Sequence, residues 1–298
     1  MPNKASQTKG LIFGVTTCII WGLLPVYWHF LENASSFEIV ANRGIWSLVL
    51  CILILGLQKK LRKTFAVFRQ PRNIAILALT SGLLTINWTV YIWSVSVNKV
   101  VEASLGYYIS PLVSVAFGVV ILREKMHKLQ WVAVLLAFIG VLVLTFEYGS
   151  LPWIALALAI SWGAYSLLKK SLNYPPLEGI SIETTIALLP GLVFMIMLES
   201  QGKAQLGHHF LYTILLVGAG LMTVVPLLLF NEAMIRLPLT ISGLLQYLTP
   251  TIMFMVGTVV NHESMPKGKI IGFAFIWVAL VFLGTDLVKS NRASASAV

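Results

Sequence analysis

Residues 103–126 read ASLGYYISPLVSVAFGVVILREKM, and residues 242–265 read SGLLQYLTPTIMFMVGTVVNHESM. The identical residues that recur at the same relative places in the two stretches, always 139 positions apart, include five pairs of Tyr, Pro, Gly, Glu and Met. The pairs are Tyr108 and Tyr247, Pro111 and Pro250, Gly118 and Gly257, Glu124 and Glu263, and Met126 and Met265. Both stretches are apolar, long enough for a helix, and carry a proline near the middle. They predict that the chain holds two copies of one structural unit.

The two prolines predict matched kinks. A proline inside a helix leaves the carbonyl four residues earlier without its amide donor. The carbonyls concerned here are those of Tyr107 and Gln246. Within a bilayer, unpaired backbone is tolerated only where protein or a water-filled cavity receives it. We therefore expect Pro111 and Pro250 to face each other across a binding cavity near the centre of a membrane.

The composition indicates a polytopic membrane protein. Hydrophobic residues make up 58% of the chain, charged residues 11%, and the mean hydropathy is +0.87, which lies outside the range of soluble globular proteins. A membrane-spanning helix needs about 20 mainly apolar residues. Ten such segments fit the sequence, at residues 10–31, 37–57, 74–97, 100–122, 128–147, 151–170, 179–199, 210–235, 238–260 and 268–288. We predict an all-α integral membrane protein with ten transmembrane helices.

The net charge of +10 follows the membrane and does not form a compact basic tract. With both termini cytoplasmic, 16 of the 21 Lys and Arg residues fall in the cytoplasmic segments, 4 fall outside, and Arg43 lies within a span. Cytoplasmic loops carry such an excess under the positive-inside rule. The basic composition thus sets the topology, and we expect no nucleic-acid partner.

Further residue pairs recur at nearly the same step as the two stretches. They are Trp21-Gly22 with Trp162-Gly163, Gly82 with Gly220, Thr85 with Thr223, and Arg43 with Glu183. Because each unit holds an odd number of spans, the second copy must enter the membrane from the opposite face. This pattern predicts two inverted five-helix repeats, at residues 8–147 and 150–288, as in many secondary transporters.

Polar and aromatic residues within the spans predict the lining of a cavity. We expect it to bind substrate through Trp21, Asn87, Trp88, Tyr91, Tyr108, Ser110, Trp162, Gln246, Tyr247 and Thr249. Aromatic faces with a few neutral hydrogen-bonding groups favour a small neutral, zwitterionic or cationic metabolite, such as an amino acid. A multiply anionic substrate is disfavoured, since Arg43 is the sole basic residue well inside a span.

Arg43 and Glu183 are candidates for gating or coupling. A charge inside a span is costly and indicates function by default, yet Arg43 is near enough to the outer end for its side chain to reach water. Both interpretations of Arg43 stay open. Inverted symmetry places Arg43 near the outer surface and Glu183 near the inner one, so we expect no salt bridge between them. The Trp-Gly pairs also fit helix packing, because glycine admits a neighbouring backbone.

Known catalytic and metal-binding patterns are missing from the sequence. His262-Glu263 lacks the second histidine of a zincin motif, and neither a G-x-S-x-G elbow nor a P-loop occurs. Cys18 and Cys51 lie within apolar segments and show no metal-ligand spacing. We predict no catalytic residues, no metal and no cofactor. A membrane-embedded binding or scaffold protein is the alternative to a transporter, with a membrane enzyme third.

Four stretches resemble the RarD subfamily of the EamA transporters, within the drug/metabolite transporter superfamily. They are WGLLPVYW from Trp21, NWTVYIWSVSVNKVVEASLGYYISPLVSV from Asn87, YGSLPWIALALAISWGAYSLLKK from Tyr148 and PLLLFNEAMIRLPLTISGLLQYLTPT from Pro226. The resemblance covers Lys9 to about Leu287. It implies ten helices in two EamA repeats and export or exchange of a small molecule across the bacterial inner membrane. The partners it implies are the substrate and the lipid bilayer, and it allows a homodimer.

One position departs from the pattern of that subfamily. The resemblance implies a His-Arg pair in the second segment, where this chain has Asn42-Arg43. The arginine is kept and the titratable imidazole is absent. A mechanism in which that histidine carries a proton therefore does not transfer to this chain.

Overall fold

A computed structural model describes residues 4–31, 34–96, 100–148, 152–172, 174–259 and 267–295. Every regular element in these ranges is helical, and none is a strand. The α-helices are α1 (Lys4–His29), α2 (Ser36–Leu57), α3 (Leu61–Phe65), α4 (Pro71–Ser96), α5 (Val100–Val120), α6 (Lys128–Tyr148), α7 (Trp153–Leu172), α8 (Pro176–Ser200), α9 (Phe210–Arg236), α10 (Leu239–Leu245), α11 (Leu248–Val259) and α12 (Lys267–Ala295), with a 3₁₀ turn at Ala66–Arg69. The predicted all-α class is confirmed.

Six of the described helices are long and apolar enough to cross a membrane. They lie at Ser6–Trp28, Phe37–Leu57, Pro71–Tyr91, Lys128–Phe146, Pro176–Ser200 and Phe210–Arg236, and shorter apolar helices lie at Leu105–Val120 and Ile270–Asp286. Large apolar side chains point outward from these helices, with Leu57 86%, Phe146 79% and Leu189 71% exposed. Soluble monomers rarely expose extended apolar patches. An outer surface of this kind suits contact with lipid.

The segment predicted as one helix at residues 238–260 is two helices. α10 ends at Leu245 and α11 begins at Leu248. In the turn between them, the amide of Thr249 donates to the carbonyl of Gln246 at 3.1 Å. The prediction that this carbonyl is left unpaired is therefore wrong: the turn lets an amide three residues on replace the one that Pro250 lacks. By contrast, α5 runs unbroken through Pro111 from Val100 to Val120.

Part of the second repeated stretch lies outside the described residues. Glu263 and Met265, predicted to match Glu124 and Met126, fall within residues 260–266. The proposed start of the second repeat at residue 150 also falls in an undescribed range, residues 149–151.

Contacts between helix ends define a basic end of the bundle. Lys170 Nζ donates to the carbonyl of Met234 at 3.0 Å, which joins the ends of α7 and α9. Gln130 Nε2 donates to the carboxylate of Asp286 at 2.8 Å, which joins the start of α6 to the end of α12. The lysines and arginines of the loop between α2 and α4 belong to this end, since that loop packs through Val67 on the first turns of α8.

The opposite end of the bundle is held by other contacts. The hydroxyl of Tyr27, at the end of α1, donates to the carbonyl of Leu215, near the start of α9, at 2.6 Å. Glu38, in the first turn of α2, accepts hydrogen bonds from the amides of Gln205 at 2.7 Å and Leu206 at 3.0 Å. α1 and α9 are thus antiparallel, while α2 starts at the same end as α9.

Two close helix crossings repeat each other. A β-carbon added to Gly22 of α1 would lie 2.6 Å from Cβ of Ile252 in α11, and one added to Gly163 of α7 would lie 2.7 Å from Cγ1 of Val113 in α5. Val113 and Ile252 each stand two residues after the matched prolines. Only glycine fits such an approach. The packing interpretation of the Trp-Gly pairs is therefore right for their glycines.

Candidate functional site

A cavity of about 360 Å³ lies between the helices near the middle of the bundle. Eight of the ten predicted substrate-binding residues line it, together with Pro250: these are Trp21, Asn87, Trp88, Tyr91, Ser110, Trp162, Gln246 and Thr249. The volume falls in the range of small-molecule sites, about 300–1,000 Å³. The sequence therefore predicted most of this lining from residue type and position within a span.

Two predicted tyrosines lie elsewhere. Tyr108 stacks edge-on against Phe273 of α12 with ring centroids 5.3 Å apart, and Tyr247 is fully buried within an apolar cluster. Neither lines the cavity, so that prediction is wrong. Successive helical residues point about 100° apart, and in α5 this phase turns Tyr107 toward the cavity and Tyr108 toward α12.

The two prolines do not face each other across the cavity. Pro250 lines it, whereas Pro111 lies where α5 packs against α10, with its carbonyl 3.0 Å from the place of a β-carbon on Gly243. The expectation of opposed kinks is therefore wrong. The reason is the close approach of α5 to α10 at Gly243, which removes Pro111 from the open space.

Arg43 is the charged residue of the described lining. Its Nε donates to Thr223 Oγ1 at 3.0 Å, and Thr223 stands at the midpoint of the 27-residue helix α9. The guanidinium carbon lies 4.8 Å from the ring centroid of Trp88 and 5.2 Å from that of Trp28. Of the two interpretations of Arg43, the structure supports the interior one: the side chain reaches toward the middle of the bundle and does not extend to the surface.

The aromatic side of the cavity is built from a pair of repeated tryptophans. The rings of Trp21 and Trp162 meet edge to face at 5.3 Å, and each also lies 5.3 Å from Phe230. Trp162 Nε1 donates to Gln246 Oε1 at 2.6 Å. This bond fixes the indole and the amide together at the turn between α10 and α11.

Neutral polar groups on three helices complete the wall. Asn87 Nδ2 donates to the carbonyl of Leu158 and to Ser161 Oγ, both at 2.9 Å, and so holds α4 against α7. Ser110 Oγ donates to the carbonyl of Gly106 at 2.7 Å. Thr249 Oγ1 is buried without a hydrogen-bond partner among the described residues. These groups offer donors and acceptors but no charge.

Tyr91 and Tyr107 extend the cavity toward the opposite end. Their rings meet at 5.9 Å with an interplanar angle of 68°, and both side chains are more than one-third exposed. The sequence singles out Tyr107 only through its backbone carbonyl, four residues before Pro111. Its side chain could have been found from the helical phase of Ser110, which lies three residues further on the same face.

Six further lining residues were missed, and five of them stand in no sequence pattern that marks a cavity. They are Leu24, Trp28, Leu158, Thr223, Leu227 and Met253. Thr223 is the exception, because it matches Thr85 in the repeat and could have been noticed for that reason. Leucine and methionine within an apolar span look alike whether they face lipid, a neighbouring helix or a cavity.

Glu183 lies outside the cavity, in a buried ion pair with Lys169. Lys169 Nζ is 3.0 Å from Glu183 Oε1, and the two side chains are 6% and 2% exposed. Thr80 Oγ1 also donates to this carboxylate oxygen, and Ser81 Oγ donates to the Glu183 carbonyl at 2.9 Å. The pair joins α4, α7 and α8 toward the basic end. Arg43 and Glu183 thus have separate partners, as inverted symmetry predicts.

A second carboxylate joins two elements at the basic end. Glu124 accepts hydrogen bonds from the amides of Leu239 at 2.7 Å and Thr240 at 2.9 Å. These are the first amides of α10, which lack partners within the helix. A negative charge there is favourable because it meets the positive end of the helix dipole.

The described residues include no group of three or more His, Cys, Asp or Glu side chains placed to hold a metal. Cys18 and Cys51 are free thiols, both buried. The interpretation of the two cysteines as core residues fits their positions.

Comparison with known proteins identifies the family. The model of the EamA-like transporter family matches residues 8–146 and again residues 151–285. The chain belongs to the EamA-like transporter family. Its resemblance to the RarD subfamily is confirmed by curated relatives.

Relatives of this EamA chain match it along almost its whole length. Protein RarD of Streptomyces exfoliatus is 41% identical over 99% of this chain and 94% of its own. The uncharacterized transporter YojE of Bacillus subtilis is 42% identical over 99% of both chains, and Protein RarD of Escherichia coli is 34% identical over 97% of this chain and 98% of its own.

A solved crystal structure of another protein shares the fold. It superposes with a TM-score of 0.74 over 95% of this EamA chain and 98% of its own chain, at 18% sequence identity. At this low sequence identity, the superposition shows that the two proteins share a fold and gives no information about function.

Proposed function

We propose that this protein is a secondary transporter, and not an enzyme, that exports or exchanges a small metabolite by alternating access between two halves. One observation carries the proposal: the lining of the central cavity extends from the middle of the bundle toward one end, while hydrogen-bonded carboxylates join helices toward the other. Residues near the opposite end line it, including Trp28 and Tyr91. Toward the basic end lie the Lys169–Glu183 pair and the carboxylate of Glu124, which join helices of both halves.

The proposed halves are residues 8–147 and 150–288, each with five spans. The two matches of the family model support this division. So do the paired crossings, since Gly22 packs on Ile252 as Gly163 packs on Val113. An odd number of spans in each half makes the repeats inverted, and ten spans follow if α10 and α11 together count as one broken span.

The basic end is proposed to face the cytoplasm of a bacterial cell. The loop between α2 and α4 together with the first turn of α4 carries six basic residues, namely Lys59, Lys60, Arg62, Lys63, Arg69 and Arg72. Loops with such an excess remain on the cytoplasmic side. Both termini then lie inside, the cavity opens outward, and the protein is a multi-pass protein of the inner membrane.

Sided labelling tests alternating access. Single cysteines are placed at Met253 in the cavity, at Gln201 on the opposite end and at Lys63 on the basic end, with Cys18 and Cys51 replaced by alanine. An impermeant maleimide is applied to right-side-out and to inside-out vesicles. The position of Met253 should label from both sides, while the positions of Gln201 and Lys63 should each label from one side only. Labelling of the cavity position from a single side would overturn alternating access.

Flux tests transport itself. Purified protein in liposomes loaded with a bacterial metabolite extract should release at least one component faster than protein-free liposomes, in a saturable manner. The released component is then identified by mass spectrometry. A protein that is stabilised by a metabolite but releases none would be a membrane-embedded binding protein, and the transporter proposal would be rejected.

A further inference from the structure

We propose that Arg43 is an anion-binding residue and that the cavity binds an amphipathic monocarboxylate. That this molecule is the transported substrate rests on the proposed function. The geometry of Arg43 within the cavity carries it. The molecule would bind with its carboxylate at the guanidinium and its flat apolar body against the aromatic wall.

The guanidinium has donors to spare. A guanidinium carries five N–H donors in a planar fork. Toward the described residues, Arg43 uses one of these donors, since its Nε–H donates to Thr223 Oγ1 at 3.0 Å. The faces of Trp88 and Trp28 lie 4.8 and 5.2 Å from the guanidinium carbon, and they orient the fork without using its protons. Both terminal nitrogens are therefore available for the bidentate pairing that carboxylates make with arginine.

The charge of Arg43 has no protein counterpart in the described lining. That lining contains no aspartate or glutamate. The buried carboxylate that matches Arg43 in the repeat, Glu183, lies outside the cavity and is bound to Lys169 at 3.0 Å. A cation inside a membrane protein is normally paired, because leaving it unpaired in a low-dielectric site is costly. A bound carboxylate would supply the missing pair.

The same arrangement disfavours cations. An ammonium group in the cavity would be repelled by Arg43, and no described lining carboxylate would offset that repulsion. The indole faces of Trp28 and Trp88, which could otherwise attract a cation, already receive the guanidinium. The structure thus narrows the range predicted from the sequence, which included cationic and zwitterionic metabolites.

The cavity also suits the apolar part of such a molecule. Trp21 and Trp162 add aromatic surface to the cavity wall, and Leu227 and Met253 add aliphatic surface. Tyr91 and Tyr107, whose rings meet at 5.9 Å, line the same cavity as Arg43. Phenolic hydroxyls can donate to a carboxylate. One charge, an aromatic slot and two hydroxyl donors fit a single carboxylate on a ring system.

Four probes of one skeleton test the inference in detergent-solubilised full-length protein. They are indole-3-propionate, its primary amide, tryptamine and tryptophan, each titrated by calorimetry and by thermal shift. We expect indole-3-propionate to bind at least about tenfold more tightly than the amide or tryptamine, the loss expected for charge-assisted hydrogen bonds. Tryptophan, which adds an ammonium to the acid, should bind less tightly than indole-3-propionate.

Variants assign the effect to Arg43. Arg43→Gln should remove the preference for the acid over the amide, and Arg43→Lys should keep the preference with weaker binding, because lysine lacks the fork. Arg62→Gln in the loop of the basic end is the matched control and should change neither. If Arg43→Gln fails to fold, the rank order of the probes in the unmodified protein and in Arg43→Lys still decides.

Several results would overturn the inference. They are equal or tighter binding of the amide or tryptamine, tighter binding of tryptophan than of the acid, no binding of indole-3-propionate, and an unchanged acid preference in a folded Arg43→Gln variant. Failure here is distinguishable from failure of the proposed function. Calorimetry measures binding without flux, so a protein that binds the acid but moves nothing supports this inference and rejects transport.

Discussion

Replacing one member of the Lys169–Glu183 pair should destabilise the protein more than replacing both members. The perturbation is a cycle of Lys169→Met, Glu183→Leu and the double variant. The pair is 3.0 Å long, with side chains 6% and 2% exposed. Removing one partner of a buried pair typically costs about 3–5 kcal/mol, because the other charge stays buried without compensation. Replacing both with apolar residues of similar volume is often close to neutral.

The expected magnitudes follow from this burial. Lys169→Met leaves the Glu183 carboxylate with Thr80 as its remaining side-chain donor, so the free energy of unfolding should fall by about 3–5 kcal/mol. For a chain of 298 residues, that loss corresponds to a fall in Tm of about 5–8 °C. The double variant should stay within about 1 kcal/mol of the unmodified protein. The coupling energy of the cycle should then be at least about 2 kcal/mol.

Thermal unfolding in detergent, followed by circular dichroism, measures the cycle. Glu199→Gln is the control, because Glu199 pairs with His208 at 3.3 Å at an exposed site and such pairs contribute little. Additive losses in the double variant, or a loss in Lys169→Met no larger than that of the control, would refute the reasoning that an uncompensated buried charge dominates.

Two further predictions concern packing and the cavity wall. Gly163→Ala should destabilise the protein by about 1–3 kcal/mol, since its β-carbon would lie 2.7 Å from Val113. Adding Val113→Ala to Gly163→Ala should partly restore Tm. The control Gly44→Ala, whose β-carbon would meet nothing within 4 Å, should leave Tm unchanged. An unchanged Tm in Gly163→Ala would contradict the close packing of α5 and α7. Tyr107→Phe should weaken probe binding by about 2–12-fold, the value of one hydrogen bond. Tyr108→Phe, beside Phe273, should bind normally, and calorimetry showing the reverse order would move the cavity to the other face of α5.

Residue type within a span was enough to predict much of the site. Asn87, Trp162 and Gln246 stood out because polar or indole groups at membrane depth need a partner, and the structure gives each one a hydrogen bond. Tyr108 was chosen over Tyr107 because the repeat matches Tyr108 with Tyr247. The match identified two core positions that pack alike, since both lie in one apolar cluster. The repeated tyrosines thus mark positions in the packed core. The residue that faces the cavity, Tyr107, is determined by the rotational phase of α5.

Partners far apart in the chain could not be derived from the sequence. The direction of Arg43 depends on Thr223, 180 positions away, and on the crossing of α2 and α9. Lys169 looked like one more cytoplasmic charge because it precedes Lys170 at the end of a span. Its burial against Glu183 depends on Gly179, where a β-carbon would lie 2.9 Å from Lys169 Nζ. Such contacts depend on the relative placement of helices, which local patterns leave open.

The tryptophans around the cavity give the protein its own optical reporter. Four of the nine, Trp21, Trp28, Trp88 and Trp162, line the cavity. The edge-to-face pair of Trp21 and Trp162, at 5.3 Å, is close enough for its electronic transitions to couple and give a paired band of opposite signs in the ultraviolet circular dichroism spectrum. A molecule bound against the indoles in the cavity would shift their emission and change that band. Occupancy can therefore be followed in real time without an attached dye.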